Sequence, residues 1–172
     1  MTQSKADDTA SNQLTAQPLT GTAFAPFGDV LEVAGAPDKL INQGLCGRYN
    51  DLARLDFAAG RAGISLFDAA PRSFPYRLEM MERHPDGSQA FVPMHQHRFL
   101  VIVAEDAGGA PGRPQAFVAQ PGQGVNYHRN TWHGVLTPLH APGLFAVIDR
   151  IGTGTNLEEH WFDTAWTVVS DT

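Results

Sequence analysis

The stretch "SQAFVPMHQHRFLVIVAED", residues 88–106, decides the fold class, because it contains two apolar runs of strand length. Only the letters "HQH" separate "SQAFVPM" from "RFLVIVAED", and so short a polar interruption predicts a turn between two strands. The segment therefore predicts a β-hairpin whose tip carries two histidines.

Short strand-like runs with turn signals between them recur on both sides of this hairpin. With 17 glycines and 12 prolines, the chain punctuates them as "AGISLFDA", "RLEMMERH", "QAFVAQPGQGVNYH", "LFAVIDRI" and "EEHWFDTAWTVV". Upstream, "LTGTAFAPFGDVLEV" predicts a cap residue, a brief helix and a strand, and "GAPDKLIN" predicts a loop. This pattern favours an all-β fold, an antiparallel sandwich or barrel with a few short helices.

Length and composition predict one globular domain. The chain has 172 residues, of which 42% are hydrophobic, enough for a sizeable core. Residues 1 to about 17 are polar and predict a disordered tail, which leaves residues 18–172 as the domain. No apolar run reaches membrane-spanning length and no apolar leader follows the start, so we expect a cytoplasmic protein that binds no membrane.

Charge and cysteine content exclude several function classes. The net charge of −6 and the lack of a basic tract argue against nucleic acid as a partner. The lone Cys46 excludes an internal disulfide, and we expect it to be a buried space-filling residue. A Schiff-base mechanism would depend on Lys39, in the predicted loop, and is disfavoured.

Two histidine-bearing segments carry the chemistry. In "MERHPDGSQAF", a strand would aim Glu82 and His84 at the same face, because strand side chains repeat with period two, and Gln89 follows after a turn. In "GVNYHRNTWHGV", residues 124–135, His133 would join them if the two strands pair. Histidine titrates near neutral pH, so His84 and His133 are the natural proton carriers. His128 is a third candidate whose face is open at this stage.

This spacing partly resembles the cupins, small β-barrels in which one strand offers two histidines separated by one residue. In cupins a glutamate follows, and a distant motif adds another histidine. Here Glu82 stands in place of the first histidine and Gln89 in place of the glutamate. The resemblance implies a cupin-like barrel with Glu82, His84, Gln89 and His133 as candidate ligands of a divalent metal, with Gln89 the weakest.

A closer resemblance is to the ureidoglycolate lyase family within that superfamily. The blocks "INQGLCGRYNDLA", "LEMMERHPDGSQAFVPM", "PGQGVNYHRNTWHGV" and "DRIGTGTN" are similar to it in sequence and in order, from about Leu19 to about Glu159. The resemblance implies elimination of urea from (S)-ureidoglycolate to give glyoxylate in allantoin and purine degradation. It also implies nickel as the expected ion and no organic cofactor.

The implied reaction assigns roles to further residues. Glu82 would orient His84 or bind metal, while Arg48, Arg150 or backbone amides near Ser65 would hold the substrate carboxylate. The urea end would be bound by Gln89, Asn126 and Tyr127. Apolar anchors would fix this wall into the barrel, namely Val125, Trp132 and Val135.

Other hypotheses stay open at this stage. They are a ureidoglycolate amidohydrolase, another metal-dependent cupin enzyme acting on a small acid, and a non-catalytic cupin that binds a small ligand. We expect a homodimer in which the N-terminal strand or the strand "FLVIVA" helps to cover a sheet edge. The turn histidines His95 and His97 are expected to be solvated.

Overall fold

The structure, a computed structural model, describes residues 12–170, and its regular elements are almost all strands. In chain order they are β1 Gln13–Pro18, α1 Gly21–Phe24, β2 Gly28–Leu31, β3 Lys39–Ile41, β4 Cys46–Arg48, β5 Arg61–Asp68, β6 Tyr76–Arg83, β7 Gln89–Pro93, β8 Phe99–Ala104, β9 Gln115–Ala119, β10 Gly124–Tyr127, β11 Trp132–His133, β12 Thr137–Pro138, β13 Leu144–Ile151 and β14 Glu158–Ser170. Within the described residues, no helix has the length and apolar character needed to cross a bilayer.

Six of the strands close into a barrel. They follow the order β11, β6, β14, β1, β9, β8, and β8 pairs back with β11 to complete the ring. A second sheet, in the order β2, β10, β7, β13, β5, packs against one side of this ring, and β3 and β4 form a separate hairpin. The predicted all-β, cupin-like barrel is confirmed.

Strand β8 lies at the centre of the fold, because all six of its side chains are buried. Phe99, Val101 and Val103 face the second sheet, and Leu100 and Ile102 face the interior of the ring. The core between the sheets also includes Phe24, Phe27, Phe91, Phe117, Val125, Tyr127, Phe145 and Val147, whereas the core inside the ring includes Leu14, Ala16, Leu78, Met81, Trp132 and Val168. Strand β8 pairs on both sides, so the expectation that it covers a sheet edge is wrong.

The fold begins earlier than the composition predicts. Strand β1 lies between β14 and β9 and runs parallel to both, so the predicted tail is wrong from Gln13 onward, and the edge-covering role expected of an N-terminal strand is wrong for β1. Only Leu14 and Ala16 of β1 face the core, and the intervening polar side chains give the strand its tail-like composition. The part of the tail prediction that covers residues 1–11 lies outside the described residues.

Other local predictions divide between confirmed and wrong. The brief helix α1 is confirmed, with Thr20 as its N-cap accepting a hydrogen bond from the Ala23 N–H at 3.2 Å. Lys39 begins strand β3 instead of lying in a loop. Cys46 is exposed on β4, so its expected role as buried filler is wrong. Val135 is also exposed, unlike the buried anchors Val125 and Trp132.

We expect the Gly28→Ala substitution to destabilise the second sheet strongly. A Cβ added at Gly28 would lie 1.9 Å from the carbonyl oxygen of Asn126 on β10, so the two paired strands would have to separate. The free energy of unfolding should fall by about 1–3 kcal/mol or more, measured by chemical denaturation. Gly21→Ala is the matched control, because nothing lies within 4 Å of its added Cβ. Equal stability of the two variants would contradict the expected clash.

Candidate active site

Three side chains from two neighbouring strands converge beside the seam between the ring and the second sheet. Glu82 on β6 is the direct pairing partner of His133 on β11, and His84 follows one residue after β6 ends. Each of the three offers one ligand atom, and these atoms all lie within 4.8 Å of one another. The predicted convergence of Glu82, His84 and His133 is confirmed. We call these three residues the triad.

Hydrogen bonds to backbone carbonyls fix both imidazole rings. The Nδ1–H of His84 donates to the carbonyl of Asn156 at 2.7 Å, and that of His133 donates to the carbonyl of Gly134 at 3.0 Å. A carbonyl only accepts, so Nδ1 carries the proton in each ring and Nε2 presents a lone pair in the neutral form. Both Nε2 atoms are buried without a hydrogen-bond partner.

Burial shifts the proton affinities within the triad. Burial, reinforced by the neighbouring His84, lowers the pKa of His133 to about 3, although its bond to Gly134 acts in the opposite direction. Burial also raises the pKa of Glu82, with His84 opposing that shift and Glu159 adding to it. His133 is therefore a neutral imidazole at any ordinary pH, and the Glu82 carboxyl binds a proton more readily than a solvated glutamate does.

The second sheet provides the facing wall. Tyr127 on β10 stacks on His133, with ring centroids 4.2 Å apart and planes 3° from parallel. Its strand partner is Gln89 on β7, which is buried and whose Oε1 has no hydrogen-bond partner. The Nε2–H of Gln89 points to Asp149 on β13, at 3.5 Å from Oδ2. Burial raises the pKa of Tyr127, next to the charge of Glu82, so its phenol keeps its proton.

Asn126 and His128 do not join the triad. The neighbouring Tyr127 points into the space between the sheets, and Asn126 points to the opposite face, where its Nδ2 donates to Asp29 at 2.9 Å and to the carbonyl of Arg54 at 3.1 Å. His128 Nε2 lies 3.2 Å from Asp29 Oδ1 and lines a surface cavity of about 280 Å³ with Arg54, Asp56 and Arg129. Burial alone would raise the pKa of Asp29, but its hydrogen bonds with Arg54, Asn126 and His128 together lower that pKa. Asn126 and His128 thus contact Asp29 on the outer face of the second sheet, away from the triad.

The candidate carboxylate anchors are dispersed. Arg48 is exposed on the β3–β4 hairpin, which pairs with neither larger sheet. Arg150 donates to the carbonyls of Ala59 and Thr153 and thereby connects two loops. Ser65 on β5 pairs with Val147 and is half-buried on the face that carries Asp149 two pairs further along. Of these residues, only Ser65 lies on the face of the second sheet that is turned towards the triad.

The turn histidines behave differently from the expectation of solvated side chains. His95 is buried, and its ring packs edge-on against Phe145 at a centroid distance of 4.8 Å. Its Nδ1 accepts the backbone N–H of His97 at 3.1 Å. Burial and the nearby His97 lower the pKa of His95. The solvated prediction is wrong for His95, because the hairpin tip folds back over the core.

Two residues of this site were not among the candidates predicted from the sequence. Asn156 orients His84 through its carbonyl, and its side-chain oxygen accepts the backbone N–H of Asp86 at 2.7 Å, which holds the turn after His84. Asp149 shares the inner face of β13 with Val147 and Phe145. Strand alternation in "LFAVIDRI" signals Asp149, since an acidic residue falls in register with buried apolar ones. No local pattern signals Asn156.

The donor set of the triad fits a divalent transition metal ion. Two imidazole nitrogens and a carboxylate oxygen are ligands that nickel and zinc accept. The two buried Nε2 atoms have no hydrogen-bond partner, and the Nδ1–H of each ring is held by a carbonyl, as is usual for histidines that ligate metals. The triad could therefore hold such an ion once its ligand atoms, now within 4.8 Å of one another, move closer together.

The chain is similar to known proteins over most of its length. A family model described as ureidoglycolate lyase matches residues 11–169. The chain is 63% identical over 149 residues to the ureidoglycolate lyase of Rhodobacter capsulatus, covering 86% of this chain and 92% of that protein. It is 55% identical over 152 residues to that of Brucella melitensis, covering 87% and 89%. It is 51% identical over 154 residues to ureidoglycolate lyase 2 of Rhizobium meliloti, covering 88% and 94%.

Proposed function

The chain belongs to the ureidoglycolate lyase family, and on this premise we propose that it eliminates urea from (S)-ureidoglycolate to release glyoxylate, in the degradation of allantoin and purines. The observation that carries the proposal is the triad, in which two buried imidazole nitrogens without partners face a carboxylate within 4.8 Å. With a divalent ion bound, such a site suits a small acid with several oxygen atoms.

The reaction sets three requirements. The substrate carboxylate has to be held, the hydroxyl on the second carbon has to lose its proton as the carbonyl forms, and the leaving nitrogen has to gain a proton. The bond from carbon to the ureido nitrogen breaks, and its electron pair stays on that nitrogen. The leaving nitrogen has to be protonated because a deprotonated urea is a poor leaving group. Since one proton is taken from the hydroxyl and one is given to the nitrogen, a single group can carry out both transfers.

The three triad residues would hold a divalent ion, and we propose nickel, which leaves Gln89, the weakest of the four candidate ligands, free to contact the substrate. When bound there, the ion would act as a Lewis acid for the oxygens of the substrate and lower the pKa of its hydroxyl group. His133 suits this holding role because its low pKa keeps it neutral. His84 suits it because its Nδ1–H is fixed by Asn156 and its Nε2 is free.

Glu82 is the proposed proton carrier. In the protein without the ion, burial raises the pKa of its carboxyl group, and the carboxylate oxygen that does not hold the ion would take the hydroxyl proton and return it to the ureido nitrogen. His133 cannot supply a proton near neutral pH, because its pKa of about 3 leaves it unprotonated. In this proposal the proton-carrying role predicted for both histidines passes to Glu82, because the Nε2 atoms of His84 and His133 would hold the ion. The contribution of His128, on the opposite face, would be structural.

Product analysis tests the function. Purified protein is incubated with racemic ureidoglycolate, and urea, ammonia and glyoxylate are measured against an enzyme-free control, with and without chelator. We expect equal amounts of urea and glyoxylate, half of the substrate left over, loss of activity with chelator and recovery with nickel. Ammonia in place of urea would instead support the amidohydrolase, and no turnover would support a non-catalytic binding protein.

We also propose a homodimer that forms through the outer face of the second sheet. This face presents Ile64, Leu66 and Val92 to solvent, and the register places Leu66 and Val92 on either side of Ala146 in one row. A contiguous apolar sheet face of this kind is commonly covered by a second subunit. Leu66→Lys is expected to reduce the mass in solution from about twice 18.6 kDa to 18.6 kDa, measured by light scattering. A wild-type monomer would contradict the proposal.

The proposed compartment is the cytoplasm. The one cysteine of the chain, Cys46, is a free and exposed thiol, which is compatible with a reducing environment. Cell fractionation would test this assignment.

A further inference from the structure

We propose that Asp149, together with Gln89, is the acceptor site for the N–H groups of the ureido end of the substrate. The inference rests on the proposed lyase function and adds a residue that determines specificity. It assigns the two ends of the substrate to two chemically different walls. The triad takes the hydroxy-acid end, and the Asp149–Gln89 pair takes the urea end.

The sheet register places the pair opposite the triad. Gln89 is paired with Tyr127, whose ring stacks on His133, and Asp149 lies one residue beyond the Ile148–Ala90 pair, beside Gln89. Asp149, Gln89 and Tyr127 thus form one row across three adjacent strands, on the face that points between the sheets. Adjacent strands are about 4.8 Å apart, so the row spans about 10 Å from Tyr127 to Asp149.

The hydrogen bonds of this row leave two acceptors in need of donors. Gln89 has to direct its Nε2–H towards Asp149, at 3.5 Å, because a carboxylate can only accept. Its Oε1 is then buried without a partner. Asp149 is half-buried, and among residues 12–170 no cation forms an ion pair with it, since the adjacent Arg150 binds the carbonyls of Ala59 and Thr153.

A ureido group is a donor that matches this pair. On the side away from its carbonyl it presents two nearly parallel N–H groups, which a carboxylate can accept together, and its remaining N–H can reach an amide oxygen. The glycolate end has the opposite character, because its carboxylate is negatively charged and its oxygens mostly accept. Asp149 would repel that end and so direct it to the triad.

The test uses Asp149→Asn in the intact protein, with Asp68→Asn, an exposed aspartate on β5, as the matched control. We expect KM for ureidoglycolate to rise about 10- to 100-fold in Asp149→Asn, as for the loss of hydrogen bonds to a charged acceptor. Competitive inhibition by urea should weaken in parallel. Inhibition by glyoxylate and the bound nickel content should stay at wild-type values, and the control should match wild type throughout.

The outcomes separate this inference from the proposed function. If the wild-type protein releases no urea, the lyase proposal fails and the inference falls with it. If the wild type is a lyase and Asp149→Asn leaves KM unchanged, the inference alone is overturned. It is also overturned if KM and the inhibition constant of glyoxylate rise together, because Asp149 would then support the whole site and not the urea end.

Discussion

Replacing His84 by alanine is expected to lower kcat/KM for ureidoglycolate about 1,000-fold. This is the middle of the range of about 100- to 10,000-fold that is typical for loss of a side chain that acts on protons at a reacting centre. The substitution removes one of the two partnerless Nε2 atoms of the triad, leaving Glu82 and His133 as an incomplete ligand set. We therefore also expect the bound nickel to fall well below one ion per chain. Urea release and elemental analysis of the same preparation measure the two effects.

His84 is the most suitable member of the triad for this test. It lies after the end of β6 and its side chain is 16% exposed, whereas His133 is fully enclosed and stacked on Tyr127. His84→Ala should therefore fold normally, as judged by circular dichroism. His140→Ala is the matched control, since this histidine is exposed near the hairpin tip. Wild-type activity and metal content in His84→Ala would contradict the assignment of the triad.

The sequence predicted the triad because its geometry follows from strand periodicity. Glu82 lies on β6, His84 follows two residues later, just after the strand ends, and His133 lies in a segment that pairs with β6. Period-two alternation also accounts for Tyr127 and Gln89 facing inward as strand partners. These residues needed no information beyond the positions of the strands and one pairing.

Residues whose environment depends on distant loops could not be placed in this way. Asn126 and His128 look like site residues by type, but their partners Asp29 and Arg54 are far away in sequence. Strand β1 is a similar case. Its parallel insertion between β14 and β9 joins the two ends of the chain to the middle, and no local pattern encodes such a pairing.

Metal-free protein is expected to lose stability on acidification through His133. Burial lowers the pKa of this imidazole from 6.5 to about 3 in the folded state, whereas the unfolded chain binds the proton at the ordinary value. The stability that depends on the neutral ring is complete above pH 6.5 and is lost progressively as the pH falls towards 3. The slope for one such group is about 1.4 kcal/mol per pH unit.

Comparison with His133→Gln isolates this contribution. The raised pKa of Glu82 gives a dependence of opposite sign, and the lowered pKa of His95 gives one of the same sign, but both remain in the variant and cancel to a first approximation in the difference. With chelator present, the free energy of unfolding from urea titrations at pH 6.5, 5.5 and 4.5 should fall by about 1.4 kcal/mol per pH unit more in the wild type than in the variant. A difference that is constant with pH would mean that His133 titrates as a solvated histidine. His133 would then be able to carry protons. The proposed roles, in which His133 holds the ion and Glu82 carries the proton, would have to be exchanged.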